Sequence, residues 1–515
     1  MRKYPIGIQS FRSLREDNYV YVDKTKDMKK LVDTGKTYFL SRPRRFGKSL
    51  FVDMIDCAFS GRKELFKGLY LEDNWDWDKS YPVLKISFGS GVHRNLEELH
   101  QTIDSMLIDW KNEFDFTYEK TGLQNRFAEA IRQAYELSDK TPVVVLVDEY
   151  DKPILDNINN IPLAIELREE LKNFYSVLKD ADRYLKFVFI SGVSKFSKVS
   201  LFSGLNNLKD ITIDQRYSTI CGYTQSELET NFSEELKLYD KEQVRSWYNG
   251  FSWGNGAVYN PFDILLFFDS GVFRNYWFES GTPRFLLKLL EENHYFMPDL
   301  EHVEASEAIA ESFEIEDLTI ETLLFQTGYL TIKEIVQLGA RRSYVLTYPN
   351  LEVKMSLNDA LLGYISQRQS AKEKNIIKLY RLLQTNDFEQ MQELFQSFFA
   401  AIPHDWFRKN NIEEYEGFYA SVFYAYFCAL GLDVKAEDTT NHGRIDMRVV
   451  FEHRCYIFEF KLIGTGGESG TAMQQIKAKQ YAEKYRADFS EIYLIGVEFD
   501  KAKRNITAFD WEKYQ

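Results

Sequence analysis

The chain has 515 residues, of which 44% are hydrophobic and 28% are charged, and its formal net charge is −14. This acidic balance excludes a protein that binds polyanions over its whole surface, for which a domain pI above about 9 is usual, although it allows local basic surfaces. A single core stops growing well below this length, so we expect two to four domains.

The cysteine pattern and the N-terminus indicate a cytoplasmic protein. The four cysteines are scattered without a C-x-x-C pair, which indicates reduced thiols rather than a zinc site or a disulfide framework. Met1–Gly7 lacks the apolar stretch of a signal peptide. No apolar run approaches the roughly 18 residues that span a bilayer, so we expect no membrane partner.

The segment Ser41–Ser49, S-R-P-R-R-F-G-K-S, follows the apolar run Thr37–Leu40 and precedes an apolar helical pattern. A strand, a tight loop and a helix in this order predict a phosphate-binding loop, in which backbone N–H groups and the helix N-terminus surround the phosphates. Lys48 then reaches the β- and γ-phosphate oxygens of ATP, and the Ser49 hydroxyl binds Mg²⁺. The residues predicted to contact the nucleotide here are Arg44, Arg45, Phe46, Gly47, Lys48, Ser49 and Leu50.

This loop departs from the pattern G-x-x-x-x-G-K-[ST] in one position, because Arg42 replaces the first glycine. An ATPase that has lost hydrolysis is therefore an alternative. Arg44 and Arg45 are predicted to neutralise phosphate charge, either within the chain or across a subunit interface, which leaves a homo-oligomer open. A solvated basic loop is the simpler alternative for these two arginines.

The run Pro142–Val147 is continuously apolar and ends in Asp148 and Glu149. Such a run is typical of a strand buried on both faces of a parallel sheet. At the carboxyl edge of that sheet, Asp148 is predicted to hold Mg²⁺ and Glu149 to activate the attacking water. An acidic turn after a buried strand is the alternative, and the upstream phosphate loop favours the nucleotide site.

Strands alternate with helices through the first 214 residues, which predicts a parallel, doubly wound α/β sheet. Leu185–Gly192 is the next buried strand, and Ser191 or Ser194 at its carboxyl end is a candidate sensor of the γ-phosphate. An ordinary serine between strand and loop is an equal alternative. Residues 215–355 predict a helical lid that ends in a winged-helix-like module, and residues 356–405 predict a helical linker.

Two segments near the C-terminus, Gly443–Phe451 and Cys455–Leu462, alternate strictly between apolar and other residues. If their apolar faces join one core, the numbers of facing residues must sum to an odd number, as for Met447 against Phe460. The turn then holds two or four residues. This register brings Asp446 beside the second strand's polar face.

That polar face carries Glu459 and Lys461. Two carboxylates and a lysine on a sheet suit metal-assisted phosphodiester cleavage, because Asp446 and Glu459 can hold Mg²⁺ or Mn²⁺ while Lys461 orients the attacking water. An amphipathic hairpin with a solvated polar face is the alternative.

Five segments together resemble the AAA-ATPase-like proteins common in gut bacteria. They are Tyr21–Thr25 (Y-V-D-K-T), Ser41–Ser49, Val147–Asp151 (V-D-E-Y-D), Ser191–Lys195 (S-G-V-S-K) and Tyr248–Phe251 (Y-N-G-F). Members of that family usually carry a C-terminal PD-(D/E)XK nuclease-like domain, and the spacing from Asp446 to Glu459 and Lys461 resembles its core. The resemblance adds Glu416 as the acidic residue of the preceding helix, a further metal ligand, and Gln475 as the later glutamine.

We therefore predict an α/β protein of four parts. They are an ATPase domain over residues 1–214, the lid and winged-helix-like region over 215–355, the linker over 356–405 and a nuclease-like domain over 406–515. The predicted function is ATP binding and hydrolysis coupled to metal-dependent cleavage of nucleic acid. The alternative is a nucleotide-dependent switch or scaffold whose nuclease-like domain only binds partners.

Overall fold

The chain divides into two units, which the computed structural model describes over residues 2–195, 207–277, 284–292, 295–307, 319–366, 369–402, 416–463 and 470–514. The first unit combines Met1–Trp277 with Val303–Asn350, and the second combines Phe278–His302 with Leu351–Gln515. The predicted boundaries after residues 214, 355 and 405 stay predictions.

A parallel five-stranded sheet forms the centre of the first unit, in the order β2-β3-β4-β1-β5. Its strands are β1 (Thr37–Ser41), β2 (Val83–Ser87), β3 (Val143–Asp148), β4 (Leu185–Gly192) and β5 (Lys209–Asp210). β1 and β3 are buried along their whole length, as their continuous apolar runs predict. Because β4 pairs with both, the carboxyl ends of β1, β4 and β3 meet at one edge of the sheet.

Helices surround this sheet and confirm the predicted α/β class. The helices of the N-terminal part are α1 (Phe11–Glu16), α2 (Thr25–Thr34), α3 (Lys48–Phe59), α4 (Tyr70–Asp73), α5 (Leu96–Glu113), α6 (Leu123–Leu137), α7 (Lys152–Leu155) and α8 (Ile161–Asp180). α3 packs against β2, β3 and β4, and it begins at Lys48, directly after the loop that follows β1.

The rest of the first unit consists of short helices and two small antiparallel sheets. The helices are α9 (Gln225–Asn231), α10 (Ser233–Leu236), α11 (Lys241–Tyr248), α12 (Pro261–Ser270) and α14 (Ile320–Thr327); α13 (Arg284–Glu292) belongs to the second unit. One sheet holds β6 (Tyr223–Thr224), β7 (Phe251–Ser252) and β8 (Ala257–Tyr259), and the other holds β9 (Val303–Ser306), β10 (Thr331–Leu338) and β11 (Arg341–Thr347). α14 is followed by the β10–β11 hairpin, with β9 as a third strand, and the winged-helix-like assignment stays a prediction.

A mixed five-stranded sheet forms the second unit, in the order β12-β13-β14-β15-β16. Its strands are β12 (Asp433–Thr440), β13 (Gly443–Phe451), β14 (Arg454–Ile463), β15 (Glu491–Asp500) and β16 (Asn505–Tyr514). Only the pair β14–β15 is parallel in this sheet. Besides α13, its helices are α15 (Leu351–Ser366), α16 (Gln369–Thr385), α17 (Phe388–Ala401), α18 (Glu416–Ala429) and α19 (Thr471–Ala478).

The register of the β13–β14 hairpin keeps the predicted parity. Met447 faces Phe458, two residues from the predicted partner Phe460, so the same side chains share a face. Phe451 pairs with Arg454, which leaves a turn of two residues. The second strand therefore begins one residue earlier than the sequence predicted.

The predicted alternation is wrong at one point of β13. Ile445 packs in the apolar cluster that contains Tyr485, and the Arg448 guanidinium lies 5.7 Å from the ring of the same tyrosine. Residues three apart share a side only if the pleat is interrupted between them. The interruption falls at Asp446, which has no ladder partner in β12, where the facing Glu437 has a left-handed backbone (φ 54°).

Candidate nucleotide site and nuclease-like site

The phosphate loop turns through two left-handed residues, Arg45 (φ 67°) and Gly47 (φ 86°), before α3 begins at Lys48. Gly47 is the N-cap of α3, and no atom lies within 4 Å of the place a Cβ would take. Glycine is favoured there by its backbone conformation rather than by lack of space. Arg42 has no left-handed backbone, so replacing the first glycine imposes no strain on the loop.

Lys48 is buried within this loop, with 7% of its surface exposed. Its ammonium donates to the main-chain oxygens of Arg42 and Pro43, both at 2.9 Å. Burial lowers the pKa of Lys48, whereas the nearby carboxylates of Asp148 and Asp151 favour its charged form. Lys48 of the phosphate loop is therefore close enough to the carboxylates after β3 to interact with them electrostatically, as the sequence predicted.

The side chains of the remaining loop residues differ in exposure. Arg44 and Arg45 are exposed, and Ser49 and Leu50 are half-buried. Phe46 is fully buried, with ring centroids 4.8 Å from Phe251 and 5.5 Å from Trp253. The Phe46 ring therefore packs into the core beneath the loop. Of Phe46, only the main chain is left to contact phosphate.

Asp148 ends β3 with 5% of its surface exposed. Ser191 of β4 is fully buried, and its hydroxyl donates to Asp148 Oδ1 at 2.6 Å. The geometry gives Ser191 a role in orienting Asp148, whereas its predicted contact with phosphate stays a prediction. Glu149 follows in a left-handed conformation (φ 53°), and burial together with Asp148 raises the pKa of its carboxyl.

Asp151 is a functional candidate that the sequence analysis used only as part of a motif. It is 1% exposed and accepts hydrogen bonds from the main-chain N–H groups of Val193 and Ser194. The Ser194 hydroxyl, the alternative phosphate sensor, also donates to Asp151 at 2.6 Å. Asp151 thus fixes the segment that follows β4, and its position three residues after Asp148 was the available signal.

The Y-N-G-F motif, Tyr248–Phe251, packs against the buried side of the phosphate loop through Phe251. Gly250 has a φ of 125°, and a Cβ there would lie 1.8 Å from the main-chain oxygen of Pro349. Only glycine allows this close approach. The approach places Phe251 against Phe46. Sequence pattern alone did not reveal this support, because the two segments are about 200 residues apart and meet only in the fold.

The three acidic residues of the second predicted site come together around one stretch of β14. The Phe460 N–H donates to Asp446 Oδ2 at 2.8 Å, and the Leu462 N–H donates to Glu416 Oε2 at 2.9 Å. Asp446 comes from β13, and Glu416 is the first described residue of α18. The two main-chain bonds flank Lys461, so the predicted carboxylates and lysine are neighbours.

Glu459 lies at the centre of this cluster and is fully buried. Its Oε1 accepts from Lys461 Nζ at 2.9 Å and from Gln475 Nε2 of α19, whereas its Oε2 has no hydrogen-bond partner. Lys461 Nζ also donates to the Phe460 main-chain oxygen at 3.0 Å. An unpaired oxygen on a buried carboxylate is costly and marks a place for a cation or a further donor.

The carboxylates of this cluster hold protons more tightly than exposed ones, chiefly because they are buried. Burial raises the pKa of Asp446 to about 6, opposed by the Phe460 N–H and Lys461. Burial and the neighbouring Asp446 raise the pKa of Glu459 to about 7, opposed by Lys461. A bound cation would favour the charged forms of both.

Whether these side chains suit a divalent cation depends on their number and orientation. In the part of the chain that the structure describes, no three His, Cys, Asp or Glu side chains are grouped closely enough to hold a metal ion. Asp446 and the free oxygen of Glu459 fit a hard cation by their chemistry. Lys461 already bridges Glu459 and the Phe460 carbonyl, and the Glu416 carboxylate is engaged by Leu462. The metal roles of Glu416, Ser49 and Asp148 stay predictions.

Gln475 is held at the cluster by a residue the sequence analysis missed. Glu498 of β15 is 1% exposed and accepts from the N–H groups of Gly470 and Ala472 and from the Thr471 hydroxyl, at 3.0–3.1 Å. A carboxylate that caps the first turn of α19 fixes the helix that carries Gln475. The sequence offered no signal beyond one acidic residue, Glu498, within the otherwise apolar run Ile492–Phe499.

A segment of each unit matches a known protein family. Residues 5–202 match a predicted AAA-ATPase family, and residues 414–509 match the PD-(D/E)XK nuclease superfamily. A protein of Azotobacter chroococcum, described as an uncharacterized protein in the vnfD 5′ region, is 51% identical over 509 residues, or 99% of this chain and 98% of that protein. The chain belongs to this family of predicted AAA-ATPases with a C-terminal PD-(D/E)XK nuclease superfamily domain.

A structural likeness was also found outside the family. The Aeropyrum pernix ORC1 protein, solved in complex with DNA, is 9% identical, with 68% of this chain and 96% of that chain covered at a TM-score of 0.27. A likeness at this level carries no argument about this AAA-ATPase-like protein. None of the helices that the structure describes has the length and apolar content to cross a membrane.

Proposed function

We propose that the AAA-ATPase-like domain binds and hydrolyses ATP and that the nuclease-like domain cleaves nucleic acid with Mg²⁺ or Mn²⁺. The observation that carries the proposal is the same in both units: residues predicted separately for one chemistry come together. In the first unit, the Asp148 carboxylate stabilises the charged form of Lys48. In the second unit, Asp446, Glu459 and Lys461 lie around one stretch of β14.

In the ATPase reaction, Lys48 exchanges its two carbonyl acceptors for the β- and γ-phosphate oxygens. Ser49 and Asp148 are the residues that would hold Mg²⁺, which neutralises charge on the phosphates when bound. Ser191 keeps the Asp148 carboxylate oriented through its 2.6 Å hydrogen bond. Glu149 accepts the proton of the attacking water, a role that its raised pKa assists by making it a stronger base.

In the nuclease reaction, Asp446 and Glu459 are the residues that would hold the cation, which lowers the pKa of a bound water when present. Lys461 positions the water that attacks the phosphorus and stabilises the negative charge that develops there. Gln475 keeps Glu459 in place through its amide. Glu416 secures α18 against β14 and is proposed as a further ligand.

The test is cleavage of labelled DNA and RNA with Mg²⁺ or Mn²⁺, with and without ATP. Asp446→Ala and Lys461→Ala are the matched variants. Cleavage by the natural protein that is lost in both variants would support the nuclease, and its dependence on ATP would show whether nucleotide state controls the second site. Binding without cleavage under every condition would contradict the proposal.

One observation favours the alternative function, a nucleotide-dependent switch whose nuclease-like domain only binds. Among the described residues the acidic side chains do not form a three-ligand metal group, and Lys461 is already paired with Glu459. Under this alternative, nucleic acid or another partner binds equally well with Mg²⁺ and with a chelator. A cytoplasmic location and a homo-oligomeric state stay predictions of the sequence.

A further inference from the structure

Arg42, at the first-glycine position of the phosphate loop, has a fully buried side chain. Its guanidinium donates to the main-chain oxygens of Ser41 and Thr212, both at 2.8 Å, and to that of Tyr217 at 3.1 Å. The guanidinium carbon lies 3.9 Å from the centre of the Trp253 ring. Main-chain oxygens and an aromatic face thus compensate part of the cost of burying this charge, and Nε has no hydrogen-bond partner.

The segment that binds the Arg42 side chain also binds the first residue of the phosphate loop. The Thr212 hydroxyl accepts from the Ser41 N–H at 3.1 Å, while the Thr212 carbonyl accepts from Arg42. Thr212 therefore binds both the main chain of Ser41, the last residue of β1, and the side chain of Arg42. Burial lowers the pKa of Arg42 to about 10, which still leaves it charged at neutral pH.

The Arg42 side chain fixes the same stretch of main chain that binds Lys48. The carbonyls of Arg42 and Pro43 both accept from Lys48 Nζ. Pro43 is confined on its other side, because a Cβ on Gly328 would lie 2.7 Å from its ring. A glycine at position 42 would keep the carbonyl but lose every side-chain contact that fixes its direction.

We propose that Arg42 is a positioning residue for nucleotide binding: its buried guanidinium fixes the two carbonyls that hold the Lys48 ammonium and so sets where Lys48 is presented to the phosphates. The inference rests on the proposed ATP site. It reverses the usual expectation for such loops, since restoring the first glycine should weaken nucleotide binding rather than improve it.

The experiment compares Arg42→Gly and Arg42→Lys with the natural protein in full-length form. Arg42→Lys keeps a charge but loses the planar fork that reaches three carbonyls. Arg15→Met is the matched control, because the Arg15 guanidinium also binds two main-chain oxygens of this unit, those of Leu65 and Lys67. The measurements are the Kd of Mg·ATP, the thermal midpoint, and the rate at which acetic anhydride labels Lys48 without nucleotide, read by peptide mass spectrometry.

We expect Arg42→Gly to raise the Kd about ten-fold or more and Arg42→Lys to raise it less, as loss of hydrogen bonds from a charged group predicts. Labelling of Lys48 should rise several-fold in Arg42→Gly. Arg15→Met should lower the thermal midpoint while the Kd and the labelling of Lys48 stay unchanged.

The outcomes separate the two proposals. A natural protein that does not bind ATP would overturn the proposed function, whereas natural binding with an unchanged Kd and unchanged Lys48 labelling in Arg42→Gly would overturn the role of Arg42 alone. If Arg42→Gly does not fold, Arg42→Lys decides, and a Kd equal to that of the natural protein would reject the inference.

Discussion

The two candidate sites both place a lysine beside buried carboxylates, but they stabilise these charges differently. In the nucleotide site, hydroxyl and main-chain groups bind Asp148 and Asp151, and carbonyls bind Lys48. In the nuclease-like site, Lys461 pairs directly with Glu459, whose second oxygen has no partner. Main-chain groups also bind Asp446 and Glu416 in the second site, but it differs from the first in its direct ion pair and its unpaired carboxylate oxygen. The second should therefore respond more strongly to pH and to cations.

The largest expected effect tests the first half of this comparison. Lys48→Ala should weaken Mg·ATP binding about 100-fold or more, because two ion-pair-strength contacts to phosphate are lost. The measurement is equilibrium binding of a fluorescent ATP analogue. Lys63→Ala, an exposed lysine of the same unit, is the control. Unchanged binding in Lys48→Ala would remove the nucleotide site from this loop.

The second prediction tests the nuclease-like half. Lys461→Ala should reduce metal-dependent cleavage about 100-fold, a typical loss for a group that positions the attacking water and stabilises the negative charge of the transition state. Single-turnover cleavage of a labelled substrate measures it, and ATP binding by the same variant should not change. Retained cleavage would show that Lys461 only neutralises Glu459.

The third prediction concerns the hydrogen bond from Ser191 to Asp148. Ser191→Ala should lower the ATP hydrolysis rate about ten-fold, because a bond to a buried carboxylate is lost, and should change the Kd of ATP less. Ser176→Ala, a half-exposed serine of α8, is the matched control. A change confined to the Kd would instead favour the direct phosphate contact predicted from the sequence.

The smallest effect is a pH dependence of stability. Glu459 has its pKa raised from 4.5 to about 7, so the folded protein holds its proton more tightly than the unfolded chain. This contribution to stability is complete below about pH 4.5 and is lost as the pH rises through about 7. The stability of Glu459→Gln relative to the natural protein should therefore increase between pH 5 and pH 8, by on the order of 1–2 kcal/mol.

Urea unfolding followed at both pH values measures this difference. Glu483→Gln replaces an exposed glutamate of the same unit and should follow the natural protein at both pH values. Parallel behaviour of Glu459→Gln and the natural protein would show that Glu459 stays charged throughout, and the contrast between the two sites would then fail.

The fold of each unit was largely predictable because local pattern and burial agree. Leu185–Gly192 has the predicted limits, since its continuous apolar run specifies a buried strand directly. Within the predicted helical lid, α9 and α10 are separated at Phe232, whose backbone is not helical (φ −128°) and whose side chain is fully buried. A tertiary contact there outweighed the local helical preference.

The sequence predicted the residues of both candidate sites: the G-K-S of the phosphate loop, the acidic end of β3, and Asp446 on one strand with Glu459 and Lys461 on the next. These follow from short-range spacing and from burying apolar faces. The groups that support these residues became visible only in the folded protein. Arg42 bound to Thr212, Phe46 against Phe251 and Glu498 capping α19 are contacts between segments distant in the chain. No local pattern encodes such contacts, because each depends on where a second element packs.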